Sequence, residues 1–151
     1  MTMSQPFKTH IPFVEHLGFE LQHFAGGEAE ITVPMREELT NSWGVAHGGL
    51  TMTLLDVVMA HAARSPDEPD GEARPGVVTI EMKTSFMRPG LGRLRAQGKL
   101  LHRTASMAFC EGSVYAEDGT LAAHATATFK YMRGLPVGTG GRRIQKLSAS
   151  D

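Results

Sequence analysis

Asn41-Ser42-Trp43-Gly44-Val45-Ala46-His47-Gly48-Gly49-Leu50-Thr51-Met52-Thr53-Leu54-Leu55-Asp56-Val57-Val58-Met59-Ala60 is the stretch whose reading decides the fold. It opens with turn residues and a Gly pair, then runs apolar around one acid. Leu50, Met52, Leu54, Leu55, Val57, Val58, Met59 and Ala60 cover nearly every direction around a helix. A surface helix keeps one face polar, and a helix apolar all round is a buried one. The pattern predicts a buried helix from about Gly48 to Ala63, entered through His47-Gly48-Gly49.

Two features of this helix carry chemistry. Its N-terminus offers free N–H groups and the positive end of a dipole, which suit a developing oxyanion. Gly48 and Gly49 lack a Cβ, so a ligand carbonyl can approach the backbone. The second feature is Asp56, the one acid in the apolar run. An unpaired buried carboxylate is costly, so such a residue is either partnered or functional.

Asp56 lies roughly 12 Å along the helix from Gly48. One substrate carbonyl cannot touch the Gly48 N–H while its attacking water touches Asp56 of the same helix. If both features act together, the acid comes from a second, antiparallel copy of the helix. A two-fold dimer supplies that arrangement, with two equivalent sites.

Outward from the helix, the chain reads as strands. Residues 1–10 are expected to be a loose leader, and Ile11 to Leu17 a short helix ended by Gly18. Phe19 to Phe24 and Ala29 to Val33 read as two strands around a Gly26-Gly27 turn. Met35 to Gly44 delivers Asn41 to the helix entrance. Arg64 to Pro75 is Pro-rich and acidic, and is expected to be a mobile loop. Val77–Met87, Leu91–Arg103, Ser106–Ala116 and Leu121–Met132 are expected as a four-strand meander, with Asp118-Gly119 as a hairpin turn. One face of the last strand carries Leu121, Ala123, Ala125, Ala127, Phe129 and Tyr131. Strands, one long helix, then strands again predict an α+β domain over residues 11–133, an antiparallel sheet wrapped on a single helix. Residues 134–151 lack a core pattern and are expected to be a flexible tail.

Composition bounds the function. The 151 residues suit one domain with a real core. With 15 basic and 16 acidic residues the net charge is −1, so no global field points to nucleic acid or to an anionic membrane. Cys110 is the single cysteine, which excludes an internal disulfide and fits a reducing compartment. No signal region or membrane-spanning run is read, and a cytoplasmic location is expected.

Asn41, His47-Gly48-Gly49 and Asp56, together with the downstream segment Thr79-Ile80-Glu81-Met82-Lys83-Thr84-Ser85-Phe86-Met87-Arg88-Pro89, resemble the hotdog-fold acyl-CoA thioesterases. The resemblance is to the phenylacetate-pathway (PaaI-like) branch and covers about Pro12 to Arg133. It implies the hotdog fold, a homodimer or dimer of dimers with composite sites, and acyl-CoA as substrate. It implies no cofactor, since coenzyme A is part of the substrate.

The resemblance also implies roles. The Gly48 N–H, beside Gly49, polarises the thioester carbonyl. Asn41 donates a second hydrogen bond to that oxygen or orients the loop; a turn Asn before a helix is the bland alternative. Asp56 acts as general base or as nucleophile, or is a structural buried Asp. His47 is assigned to orientation or oxyanion support rather than to proton transfer. Thr79 stands where the family carries a hydroxyl that orients water, yet it alternates out of phase with Val78, Ile80 and Met82. Arg88 is the first choice for the coenzyme phosphates, ahead of Arg93, Arg95 and Arg103. Met52, Leu55, Met59 and Phe86 are either acyl-pocket lining or plain core. His61, His102 and His124 lack ligand-like spacing, and Cys110 is expected to be inert packing.

Two other functions share such a fold. A non-catalytic acyl-CoA-binding module is one. An enoyl-CoA hydratase or dehydratase is the other: Asp56 and His61 stand five apart, but point about 140° apart on one helix.

Overall fold

The computed structural model describes residues 3–133, 135–137 and 142–144. After α1 (Pro12–Leu17), β1 (Glu20–Ala25) and β2 (Glu28–Val33) form a hairpin. A single 3-10 turn (Glu37–Leu39) leads to the loop before α2 (Gly48–Arg64). Four strands follow: β3 (Val77–Phe86), β4 (Leu94–Arg103), β5 (Met107–Tyr115) and β6 (Leu121–Tyr131). The six strands form one sheet in the order β1-β2-β4-β5-β6-β3, antiparallel throughout. Among the described residues no helix is long and apolar enough to cross a membrane.

The sheet is floored with small residues where α2 lies on it. Gly98 and Gly112 stand opposite one another on β4 and β5. A Cβ at Gly98 would come within 2.5 Å of the Val58 carbonyl oxygen, and one at Gly112 within 3.0 Å of Met59 Cγ. The helix backbone therefore touches the sheet there, and only glycine permits it. Ala96, Ala108, Ala123, Ala125 and Ala127 extend the floor, all buried. Leu54, Leu55, Val58 and Met59 fill the space above it at 0% exposure. Each such side chain contributes roughly 1.5–3 kcal/mol by leaving water. Of the two readings given for Leu55 and Met59, acyl-pocket lining or plain core, the structure supports core.

Four further expectations change. First, β3 does not start a meander: it pairs with β6 and forms the sheet's edge, while β4, β5 and β6 are the meander. The Met87 and Arg88 N–H groups both donate to the Ala122 carbonyl at 2.8 and 3.1 Å, which ties the end of β3 to β6. Gly90 then passes against Ala46 beneath the helix entrance, and the Ala46 N–H donates to its carbonyl at 3.0 Å. The chain is thereby carried across to the other side of the sheet before β4 begins.

Second, α2 is not covered all round. The sheet seals one side, while Met52 is 36% exposed and Asp56, Val57 and Ala60 are half-buried along the other. Third, Arg64-Ser65-Pro66 is buried rather than loop-like. Ser65 Oγ accepts the Gly27 N–H at 2.8 Å and donates to the Ala62 carbonyl at 2.9 Å. Fourth, the leader packs on the body: the Gln5 N–H donates to the Leu21 carbonyl at 2.8 Å, and Phe7 meets His61 edge-on.

Two short strands, β7 (Leu135–Val137) and β8 (Arg142–Ile144), pair with each other within the segment expected to be a tail. The rest of that tail, and residues 1 and 2 of the leader, lie outside the described residues.

Candidate active site

The entrance to α2 is built by Asn41. Its side-chain oxygen accepts the Trp43 N–H at 2.9 Å and its backbone carbonyl accepts the Gly44 N–H at 3.0 Å. Its own N–H closes the loop onto the Val45 carbonyl at 2.9 Å. Asn41 is therefore an orienting turn residue. Its side-chain NH2 donates no hydrogen bond among the described residues.

His47 is the N-cap of α2, with φ −62° and ψ 138°. Its Nδ1 accepts the Gly49 N–H at 2.8 Å. Nδ1 is then the acceptor nitrogen of a neutral ring, and Nε2 carries the proton. A Cβ on Gly49 would sit 3.0 Å from that Nδ1, so the small residue is what lets the cap close. The His47 carbonyl takes the Leu50 and Thr51 N–H groups at 2.9 and 3.1 Å. Of the first-turn donors, Gly48 N–H has no acceptor among the described residues. One unclaimed N–H at a helix N-terminus is an anion-directed donor. Phe86, at the end of β3, places its ring edge 3.7 Å from where a Gly48 Cβ would stand.

Asp56 lies two turns on, half-buried on the uncovered side of α2. Thr79 Oγ1 donates to its Oδ1 at 2.7 Å. Burial pushes the Asp56 carboxyl pKa above its ordinary value, against the lowering effect of the Thr79 hydroxyl. The out-of-phase position of Thr79 has a physical explanation. The β3–β6 register slips between Thr79 and Glu81: Thr79 stands opposite Phe129 and Glu81 opposite Thr128. Ile80 is the extra residue of a bulge and is 53% exposed. Bulges re-aim side chains, and here Thr79 and Met82 both reach the helix side.

Thr79→Val removes the hydroxyl that stabilises the ionised carboxylate. The Asp56 pKa then rises further, so activity that needs the carboxylate should have its rising pH limb moved to higher pH. A kcat/KM–pH profile reads the shift, and an unmoved limb would show that Asp56 ionisation does not govern the rate.

The two features border different hollows. His47 and Gly49 edge a hollow of about 190 Å³ with Phe13, Leu17 and Leu39. Asp56 and Thr79 edge a cleft of about 340 Å³ with Ile11, Val57, Ala60 and Val77. The chain thus brings Asp56 to Thr79 and His47 to Gly49, but keeps the two pairs apart. Met52 lies on the uncovered stripe between them. Arg88 is exposed, two residues past Phe86, and its charge helps to lower the Asp118 pKa, an effect led by hydrogen bonds from Thr120.

Of the weaker phosphate candidates, Arg93 binds Glu20 and Thr32, and Arg95 binds Glu30 and lies over the Tyr115 ring. Both sit on the sheet face away from the helix, held by these partners. Arg103 is exposed at the end of β4. His61 borders the Asp56 cleft, but its Nδ1 is held on the Val57 carbonyl at 2.8 Å and Phe7 and Phe24 pack edge-on against its ring. Cys110 is buried, and burial pushes its thiol up to about 12, which keeps it unreactive. Sequence reasoning missed Arg64, which lines the Asp56 cleft; its spacing of eight from Asp56 was the available signal.

Residues 44–123 match the thioesterase superfamily. The chain is 28% identical to the medium/long-chain acyl-CoA thioesterase YigI of Salmonella typhimurium, over 84% of this chain and 90% of that protein. Among solved structures, a mutant of the phenylacetic acid degradation protein PaaI from Thermus thermophilus superimposes with a TM-score of 0.69, at 29% identity, over 81% of this chain and all of that one (100%). The PaaI protein of the Escherichia coli phenylacetic acid degradation operon shares the fold at a TM-score of 0.73 and 18% identity, over 82% of this chain and 86% of that one. The helix-on-sheet architecture and these matches agree, and the chain belongs to the hotdog-fold thioesterase superfamily.

Proposed function

We propose that the protein hydrolyses acyl-CoA thioesters to the free acid and coenzyme A, in a homodimer whose sites are shared between subunits. The observation that carries this reading is the unclaimed Gly48 N–H on the first turn of α2, on a helix that also holds Asp56. The thioester carbonyl oxygen accepts the Gly48 N–H, with the Asn41 amide as a second donor. Asp56 of the other subunit, oriented by Thr79, takes a proton from water as the water oxygen attacks the carbonyl carbon. The C–S bond then breaks and the sulfur leaves as thiolate, which recovers a proton. His47 holds the entrance loop rather than moving protons. The chemistry runs on the chain's own groups, with no metal or cofactor.

The dimer reading is supported by the free edge of β3. Ile80 and Phe86 are 53% and 55% exposed there, beside the uncovered stripe of α2. Apolar side chains on an unpaired edge strand mark a pairing surface. A second copy joined antiparallel along β3 would bring the Asp56 of one α2 towards the Gly48 of the other. Whether such dimers pair further into a tetramer belongs to the same proposal. One buried thiol fits a reducing, cytoplasmic setting.

The acyl group is aryl or medium to long aliphatic in this reading; YigI is named for medium and long chains and PaaI for phenylacetic acid degradation. Thiol release from a panel of aryl- and alkanoyl-CoA esters tests it. Release with saturation kinetics is the expected result. Tight binding without release from any ester would replace the hydrolase by a binding module. Single-turnover hydrolysis in ¹⁸O-water tests for a nucleophilic Asp56: label in its carboxylate shows that water opened an anhydride at the Asp56 carbonyl carbon.

A further inference from the structure

Arg64 stands two turns beyond Asp56 on α2, about 80° further round the helix, and it lines the same cleft. It is 8% exposed. Its Nη2 donates to Thr9 Oγ1 at 3.1 Å, and its Nε has no hydrogen-bond partner. No carboxylate lies within ion-pair distance of it among the described residues. Burial pushes its pKa down, the mark of a cation deprived of water. A buried guanidinium with no carboxylate partner beside a cleft is a strong site for an oxyanion. Leaving it unmatched is costly to the fold, and groups of that kind collect where a ligand completes them.

We propose that Arg64 seats an anionic end of the acyl group, so that the protein takes ω-carboxyacyl thioesters in preference to plain alkanoyl ones. The proposal rests on the thioesterase reading and names its substrate class. Of the residues lining the cleft, Ile11, Val57, Ala60 and Val77 suit methylenes, while Thr9, His10, His61 and Thr79 give it a polar edge. The two ends stand roughly 12 Å apart along the helix, a span for an acyl chain of roughly six to ten carbons. The coenzyme phosphates offer the same oxyanion chemistry, but they ride at the far end of a long arm on the opposite side of the thioester. A cleft of about 340 Å³ with four apolar residues in its lining suits a carboxylate carried on an acyl chain better.

The test compares suberoyl-CoA with octanoyl-CoA, equal in length and different only at the distal end. Wild type is expected to favour suberoyl-CoA in kcat/KM. Arg64→Met should lower the suberoyl-to-octanoyl ratio about 10²-fold, mainly through KM, and Arg64→Lys should restore part of it. Free suberate should compete against wild type better than octanoate does. Equal losses on both esters would overturn the proposal and assign Arg64 to a coenzyme phosphate or to the fold. Indifference of wild type to the terminal carboxylate would overturn it without any variant, which covers the case of a misfolded Arg64→Met. If wild type releases thiol from neither ester and from no aryl-CoA ester, the thioesterase reading falls separately. Calorimetric binding of the two esters then decides: tighter binding of suberoyl-CoA to wild type supports the carboxylate seat, and equal binding overturns it.

Discussion

Asp56→Asn is expected to lower kcat for acyl-CoA hydrolysis by about 10³-fold while leaving the fold intact. The substitution keeps the size and the Thr79 hydrogen bond but removes the base. Stability should move the other way. The folded-state pKa of Asp56 is raised by burial, so the folded protein holds that proton to higher pH than the unfolded chain does. The contribution to stability is fully present at pH below the unfolded value and is lost as pH rises through the folded value. At neutral pH the ionised carboxylate therefore opposes folding. The Asn variant should melt at the same or a higher temperature than wild type at neutral pH, and this gain should vanish at acid pH. Thiol-release kinetics and melting curves at two pH values check both halves. Full activity in the folded variant would remove Asp56 from the chemistry.

Gly48→Pro is the second large effect, a loss of about 10²–10³ in kcat with α2 preserved. A backbone donor cannot be deleted by trimming a side chain, but proline deletes it. Gly48 is the first residue of α2, where proline is favoured because that N–H has no helical acceptor. The preceding His47 already has the extended conformation that a following proline requires. Ordinary contact distance to Phe86 leaves room for the added Cβ. Circular dichroism should be unchanged and kcat should fall, with KM affected much less, since the bond strengthens as charge builds on the oxygen. Retained kcat would show that the free N–H is only an uncapped helix end.

The sequence made the helix and its chemistry legible because several signals coincide there: turn residues, paired glycines, an unbroken apolar run and one acid. The hairpin strands were legible by alternation, and their ends fell within a few residues. The place of β3 was not. Adjacent strands in sequence usually pair, and nothing in Met87–Gly92 announces that the segment passes under the helix entrance. Thr79 was obscured by the bulge at Ile80, since period-two counting assumes an unbroken ladder. The uncovered stripe was hidden because apolar content does not say whether a side chain is buried by its own sheet or left for a second copy. Arg64 reads as the first residue of a polar loop, though helical spacing from Asp56 carries it to the cleft.

The shared site is the centre of the account, and complementation between dead subunits tests it most directly. Asp56→Asn and Gly48→Pro chains are co-expressed at equal levels and the assembled protein is assayed for thiol release. Random pairing makes half of the dimers mixed, and each mixed dimer has one site with neither defect and one with both. Activity should return to about a quarter of wild type, far above either parent. Activity no greater than that of the parents, in a preparation shown to contain mixed dimers, would contradict the account and confine each site to a single chain.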